Sequence, residues 1–400
     1  MNAGFRKNIF YIVYKEGYHP VNVLWRGHYI NRGRKAPHRV PGGSLMDGKI
    51  RQHVVEGKDI FVGLEDSKKT WKISVRCEGL EVHFTSMPAK YGVLREYFGK
   101  RFPGCRIHVI YEAGFRGFGL YDRLTAEGIR CTVTPPSRVT YEHHRRRKND
   151  KIDARRLATI LEKGDYKSCH VPDLERREDR QLSRVLVGVQ KDITRIRNRI
   201  RKFFDCYVEG ADLPAGAWSE ADYERGRHLP LNETLRRGLD VWYSALDHMK
   251  AHAKELLAEL RRLSRKQRYA GAVQLLSSAP GIGWLTAIRL VLEWGEDWSR
   301  FGSSKQIASY SGLICSEYSS GEVEHKGRIT GESHPFVRSW LVQCGWSAIR
   351  KDPVLLEKYQ RVWKNSGSKK KAIVAVSRML VVRLRALMIR HTRYCIGVAA

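Results

Sequence analysis

None of the eight cysteines forms a Cys-x-x-Cys pair, and their scatter through a large basic chain offers neither a zinc framework nor a disulfide scaffold. Reduced, buried thiols are the expectation. Long apolar runs are missing too. A run such as Met379-Leu380-Val381-Val382-Arg383-Leu384-Arg385 is short and broken by arginine, which excludes a helix able to span a bilayer. A secretory leader is not expected, because Lys7 and Asn8 interrupt the apolar stretch Phe5 to Val13 and no cleavage site follows. Acidic residues are scarce: 42 Asp+Glu stand against 73 Lys+Arg, a formal charge of +31. An excess of that size creates a strong positive field, whose commonest partner is nucleic acid. These features together predict a cytoplasmic nucleic-acid-binding protein.

What is present is 400 residues, enough for two or three domains with real cores. Residues 1–45 carry Gly, Pro, Arg and aromatics without helical or strand period and end in Val40-Pro41-Gly42-Gly43-Ser44. The biological start is expected at Met46, the preceding stretch being an irregular basic extension from an upstream start codon. The rival is a basic arm that folds on nucleic acid.

From Asp59 the pattern is firm. Ile60 to Leu64, Trp71 to Val75 and Leu80 to Phe84 read as strands, Lys90 to Lys100 as a helix and Arg106 to Tyr111 as a strand ending at Glu112. Phe118 to Glu127 reads as a helix and Gly128 to Val133 as a strand stopped by Pro135-Pro136. Three strands followed by alternating helix and strand describe a mixed α/β sheet, in the order of a ribonuclease-H-like fold. Two long helices are expected next, Leu182 to Phe204 and about Leu235 to Arg268. Leu239, Trp242, Leu246, Met249, Ala253, Leu256, Leu260 and Leu263 of the second step by three and four, as a helical hairpin or coiled-coil seam requires. The expected division is 46–165 for the α/β domain, 166–268 for the helical region and 269–400 for a mainly helical third unit.

The chemistry-bearing residues begin with Asp150 and Asp153, set in the basic run Arg145 to Arg156. On a helix, residues three apart share a face, so both carboxylates can serve one metal site; the bland alternative is a solvated basic helix with two balancing acids. Glu65 after the first strand and Glu112 after the fourth complete four acids at neighbouring strand ends and on a facing helix. Hard oxygen donors of this kind suit magnesium, and two-ion sites for phosphoryl transfer on DNA are built from carboxylates on separate segments. Further along, the turn Pro280-Gly281-Ile282-Gly283 opens a helix and resembles a helix-hairpin-helix phosphate contact through Gly281 and Gly283; packing glycines are the alternative. Arg328 and Arg338 are candidates for phosphates, since arginine's planar fork suits them.

The segments Gly63-Leu64-Glu65-x-Ser67-Lys68, Tyr111-Glu112-Ala113-Gly114, Asn149-Asp150-x-x-Asp153-Ala154-Arg155, Pro280-Gly281-Ile282-Gly283 and Ser319-Ser320-Gly321 follow in this order. Over roughly residues 59–390 the chain resembles the insertion-sequence 110 family of transposases, the DEDD-type, RNA-guided serine recombinases of bacterial mobile elements. The resemblance implies a RuvC-like domain, a helical coiled-coil insertion and a C-terminal transposase domain. It makes Glu65, Glu112, Asp150 and Asp153 the magnesium ligands and Ser320 the nucleophile, with Ser319 the near alternative. It further implies a covalent phosphoserine link to DNA, donor and target DNA as partners, and a structured bridge RNA that selects them. The family's first acid is usually aspartate. Here Glu65 stands in its place, and Asp66 is the alternative ligand, although an adjacent residue in a strand points to the opposite face. No histidine is a clear base for Ser320; His325 and His334 are near, and contacts to surface or phosphate are the plainer roles for them. The distance along the chain from Ser320 to the acids predicts an oligomer, a dimer or tetramer, with composite sites. Two other classes compete: a RuvC-like structure-selective nuclease with water as nucleophile, and a non-catalytic nucleic-acid-binding protein.

Overall fold

The computed structural model describes residues 55–136, 150–208, 213–214, 216–320, 323–331 and 335–397. The proposed extension 1–45 and the basic run before Asp150 lie outside them. The first unit is a five-stranded sheet of order β3-β2-β1-β4-β5. Its strands are β1 (Asp59–Asp66), β2 (Thr70–Cys77), β3 (Leu80–Pro88), β4 (Arg106–Glu112) and β5 (Arg130–Thr134). The first three form an antiparallel meander, and β4 and β5 add parallel to β1. Helices α1 (Tyr91–Arg101) and α2 (Gly119–Ala126) make the crossovers. The mixed α/β architecture read from the sequence is therefore the one observed.

Strand alternation sorts the side chains onto two faces. Ile60, Val62, Leu64, Trp71, Ile73 and Val75 turn to one side, where they pack with Leu94 and Phe98 of α1 and Leu120 and Leu124 of α2. Phe61 and Ile110 turn to the other, against Leu157 and Leu161 of α3 (Asp150–Lys163). Burying each of these aliphatic side chains stabilises the unit by about 1.5–3 kcal/mol.

Helix α4 (Leu174–Tyr207) leaves the sheet domain, capped by Asp173, whose side chain accepts from the Arg176 N–H. It pairs with α6 (Glu233–Leu263) after the short α5 (Glu220–His228). Ile200 and Phe204 share a core with Leu239 and Tyr243, while Leu186 shares one with Leu260 and Leu263, so the two long helices run antiparallel. The second is shorter than expected. Ser264 closes it by bonding the Arg261 carbonyl, and Lys266 adopts an extended conformation before a new helix begins.

The last unit contains α7 (Gln267–Ser277), α8 (Trp284–Trp294), α9 (Ser304–Tyr310), α10 (Pro335–Ala348), α11 (Pro353–Ser366) and α12 (Lys369–Arg390). These helices enclose one large core that also takes in Leu186 and Leu260. A hairpin, β6 (Cys315–Ser320) and β7 (Val323–Ile329), stands out from it. Arg177 links α4 back to the sheet domain with a two-pronged bond to Asp122, at 2.7 and 3.0 Å. Among the described residues no helix is long and apolar enough to cross a membrane.

Candidate metal and nucleic-acid site

Gly63 decides where the acids meet. A Cβ on it would lie 2.1 Å from the Ala154 carbonyl oxygen and 2.3 Å from the Ala158 nitrogen, so the backbone of α3 rests directly on β1. Ala154 and Ala158 are themselves small and fully buried, which permits this approach. The first turn of α3 then overhangs the end of β1. Glu65 has the parity of Phe61 and Gly63, and so lies on the α3 face. It is partly buried, and its Oε2 atom has no hydrogen-bond partner. Its carboxyl is held above the ordinary carboxylate range by burial first and then by the negative charge of Asp150; Lys72 opposes the shift, and Asp153 adds to it. Glu65, Asp150 and Asp153 thus occupy one electrostatic site.

Glu112 ends β4. The parallel register Leu64↔Tyr111 places it one step further, beside Glu65, and it shares the parity of Ile110 and hence the α3 face. Asp66 points to the other side of the sheet. The Trp71 indole donates to it at 2.6 Å and the Arg116 guanidinium approaches to 3.3 Å. Burial raises the Asp66 carboxyl above its ordinary range despite these two partners.

Among the described residues, no three His, Cys, Asp or Glu side chains form a ready-made metal cluster. The donor set nevertheless fits a hard divalent cation. All its donors are carboxylate oxygens, one of them is buried and unsatisfied, and mutual repulsion raises the energy of the ionised set until a cation joins it.

The serine lies in a different unit. Ser320 pairs with Val323 at the end of the β6–β7 hairpin, and Ser319 with Glu324; their side chains are outside the described atoms. His325 is described only in its backbone, opposite Tyr318, and His334 lies outside the described residues. Arg328 is exposed on β7, and its carbonyl accepts from the Ser316 hydroxyl. Arg338 donates to the carbonyls of Thr330 at 3.0 Å and Gly312 at 3.3 Å, which clamps the base of the hairpin to α10. Gly281 has φ +80° and sits where a Cβ would meet the Cys344 carbonyl oxygen at 2.4 Å, so packing against α10 is enough to require glycine there. Gly283 is the N-cap of α8 and faces open space. The turn borders a pocket that Arg350 and Lys351 also line.

Lys72 is a site residue that the motifs did not single out. It is the cross-strand partner of Glu65, and its ammonium lies 2.8 Å from an Asp150 oxygen. Its position between the buried Trp71 and Ile73 was the available signal, because alternation turns it toward the face that carries Glu65.

Comparison with known proteins identifies the family. A family model described as "Transposase", of the DEDD type of IS110 elements, matches residues 74–209, and "Transposase IS116/IS110/IS902 family" matches residues 273–360. A Sinorhizobium fredii protein bearing a transposase name, y4rJ, is 30% identical over 81% of this chain and 90% of its own. The transposase for insertion sequence element IS1533 of Leptospira borgpetersenii is 24% identical over 59% of this chain and 70% of its own. The transposase for insertion sequence element IS1111A of Coxiella burnetii is also 24% identical, over 62% and 66%. Fold and relatives point to a DNA-modifying enzyme with a mixed-sheet DEDD-type domain. The chain belongs to the IS110 family of transposases.

Proposed function

We propose that this transposase is an RNA-guided serine recombinase that moves an insertion sequence in the bacterial cytoplasm. The observation that carries the proposal is the gathering of Glu65, Asp150 and Asp153 on one sheet face around a buried, unpaired carboxylate oxygen. Glu65, Glu112, Asp150 and Asp153 would hold Mg2+, which supplies charge neutralisation at a DNA phosphate. Ser320, carried by the tip of a hairpin, is the nucleophile. Its oxygen attacks a backbone phosphorus, the phosphorus–oxygen bond to one deoxyribose breaks, and a phosphoserine link forms. The hydroxyl proton leaves Ser320, and the departing deoxyribose oxygen takes up a proton.

In this reading 46–165 is the RuvC-like domain, 166–268 a helical spacer with coiled-coil character, and 269–400 the transposase domain. The acids lie in the sheet domain and the serine on the hairpin of the last unit, which favours assembly of the site between copies of the chain. Donor and target DNA, and a structured bridge RNA that chooses them, are the partners. Arg328 and the Gly281–Gly283 turn are assigned to phosphate contact, and Arg338 to holding the hairpin that carries one.

The test is a DNA–protein adduct that survives denaturation in the wild type and is absent in Ser320→Ala. Free cut ends with no adduct would instead identify a nuclease using water. RNA that co-purifies with the chain and is needed for adduct formation is the expected sign of guidance.

A further inference from the structure

Past Glu112 the chain makes a tight turn with an exposed aromatic ring at its tip. The Gly117 N–H bonds the Gly114 carbonyl at 3.2 Å, which leaves Phe115 and Arg116 at the bend. Arg116 folds back, donating to the Ser67 and Lys68 carbonyls at 3.3 and 3.2 Å and approaching Asp66 at 3.3 Å. The Tyr111 hydroxyl donates to the Gly117 carbonyl at 3.3 Å. The turn is thus tied to β4, to the end of β1 and to the β1–β2 connection, yet Phe115 is 75% exposed. Single exposed apolar residues are common on any protein. This one is held out on a pinned backbone, so a partner has little left to order beyond the ring itself.

Phe115 also lines a cleft of about 470 Å3, within the ~300–1,000 Å3 usual for small-ligand sites. The facing wall is α4, through Arg177, Glu178, Arg180, Gln181 and Arg184. The bond from Arg177 to Asp122 holds that wall against the sheet domain. Arg184 takes both oxygens of Glu293, at 3.0 and 2.9 Å, whereas Arg180 reaches the same carboxylate only at 3.6 Å. The Arg180 Nε is buried without a hydrogen-bond partner. Burial first, and then the charge of Arg184, hold the Arg180 guanidinium below its ordinary pKa, with Glu293 opposing. Beside an open ring the cleft therefore offers a loosely held guanidinium, a carboxamide and an exposed carboxylate.

We infer that this cleft takes an unpaired nucleobase of a DNA strand, stacked on Phe115 with its polar edge toward Arg180, Gln181 and Glu178. The inference rests on the chain acting on DNA, and not on the roles proposed for the acids or for Ser320. The mixed lining decides the class of occupant. A bare phosphate would meet the Glu178 carboxylate, and an aliphatic side chain would leave both charged groups without a partner. A base edge carries acceptors, which suit Arg180 and Gln181, and exocyclic amines, which suit a carboxylate. Its face stacks on an aromatic ring whatever its sequence. A paired base has both faces covered in the duplex, so the occupant is single-stranded or flipped out. Phe115 follows Glu112 by three positions, so a strand anchored by this base runs past the end of β4.

The experiment uses the full chain and a single-stranded oligodeoxynucleotide carrying 5-iododeoxyuridine, irradiated in complex and mapped by mass spectrometry of the peptides. The expected adduct is on Phe115, and the same sequence as a duplex gives none there. Affinities are measured in raised salt, where phosphate contacts weigh less. Phe115→Ala is expected to bind the single strand about tenfold more weakly, and Phe115→Trp at least as tightly as wild type. Duplex affinity should be the same for all three. Because the ring is exposed, Phe115→Ala should melt with the wild type, so a loss reports the contact and not the fold. Absence of an adduct on Phe115, or undiminished single-strand affinity in Phe115→Ala, overturns this inference. An adduct on Phe115 from single-stranded RNA with none from DNA overturns the assignment to a DNA strand. A wild type that binds neither form of DNA overturns the reading of the chain as a DNA enzyme, and this inference with it.

Discussion

The carbonyl oxygen of Ala154 lies where a side chain on Gly63 would begin, 2.1 Å from the ideal Cβ position. This contact between helix and strand sets the height of Asp150 and Asp153 above Glu65. Gly63→Ala therefore has to lift α3 from the sheet, an overpacking expected to cost about 1–3 kcal/mol or more. Urea denaturation reads the loss, and Mn2+ affinity should fall with it. A fully stable Gly63→Ala protein would show that the helix can shift without consequence.

The neighbours Glu65 and Asp66 should part company on substitution. Glu65→Gln keeps the shape and removes a partly buried charge with an unsatisfied oxygen, so stability is expected to hold or rise while metal affinity and adduct formation collapse. Asp66→Ala leaves the Trp71 indole without its acceptor and removes the carboxylate facing Arg116, which keeps the Ser67 and Lys68 carbonyls, at a cost of about 1–3 kcal/mol, with metal affinity in the folded fraction retained. Calorimetry of both variants with Mn2+ separates the roles. Loss of binding only in Asp66→Ala would reverse the assignment.

Arg328 and Arg338, two guanidinium groups ten positions apart, have different employment. Arg338 is spent on the Gly312 and Thr330 carbonyls, so Arg338→Ala should lower the melting temperature and loosen the hairpin, seen as faster amide exchange across β6 and β7. Arg328 is exposed, and Arg328→Ala should leave melting unchanged while weakening DNA binding. The slope of log affinity against log salt should flatten by about 0.9 for one lost phosphate contact. An unchanged slope removes Arg328 from the DNA interface.

In the C-terminal core, Asp352 is fully buried with Arg383, at 2.9 Å, and accepts from the Tyr394 hydroxyl at 2.6 Å. Burial by itself would push its carboxyl up, but Tyr394, the Val354 N–H and Arg383 together hold it below the ordinary carboxylate range. A folded-state value below the unfolded one adds stability that is complete above the unfolded value. That stability is lost as pH falls through the folded one. Acid denaturation should thus include this group at the low end of the carboxylate range. Asp352→Asn should lose that part of the pH dependence and, by removing the negative charge that faces the buried Arg383, cost about 3–5 kcal/mol at neutral pH.

Mixing an acid-site variant, Asp153→Asn, with Ser320→Ala tests the assembly. Restored adduct formation in the mixture, where each alone is inactive, is the outcome expected of a site shared between copies. A mixture as inactive as its components places serine and acids in one chain.

Much of this was legible in the chain itself. An apolar run at Ile60 to Leu64 and alternation in Trp71 to Val75 marked the strands. Parity alone separated Glu65 from Asp66, because successive side chains in a strand must face opposite ways. Spacing by three and four marked α6 and α4 beyond its first turns. These are properties of a single segment's geometry, and local sequence carries them. The β6–β7 hairpin escaped notice because Cys-Ser-Glu-Tyr-Ser-Ser and Val-Glu-His-Lys-Gly-Arg-Ile lack an apolar face, and a ribbon that stands out from the core leaves no hydrophobic period. The break between Leu263 and Gln267 interrupts a run of good helix formers, and is set by the packing of two helices into one core. Lys72 meeting Asp150 needed the docking of α3 on β1, and Arg338 clamping the hairpin needed α10 beside it. Sequence by itself determined the sheet strands, their faces and the family. Tertiary structure decided which charges meet, because partners 26 and 78 residues apart are joined by register and helix docking that no local period encodes.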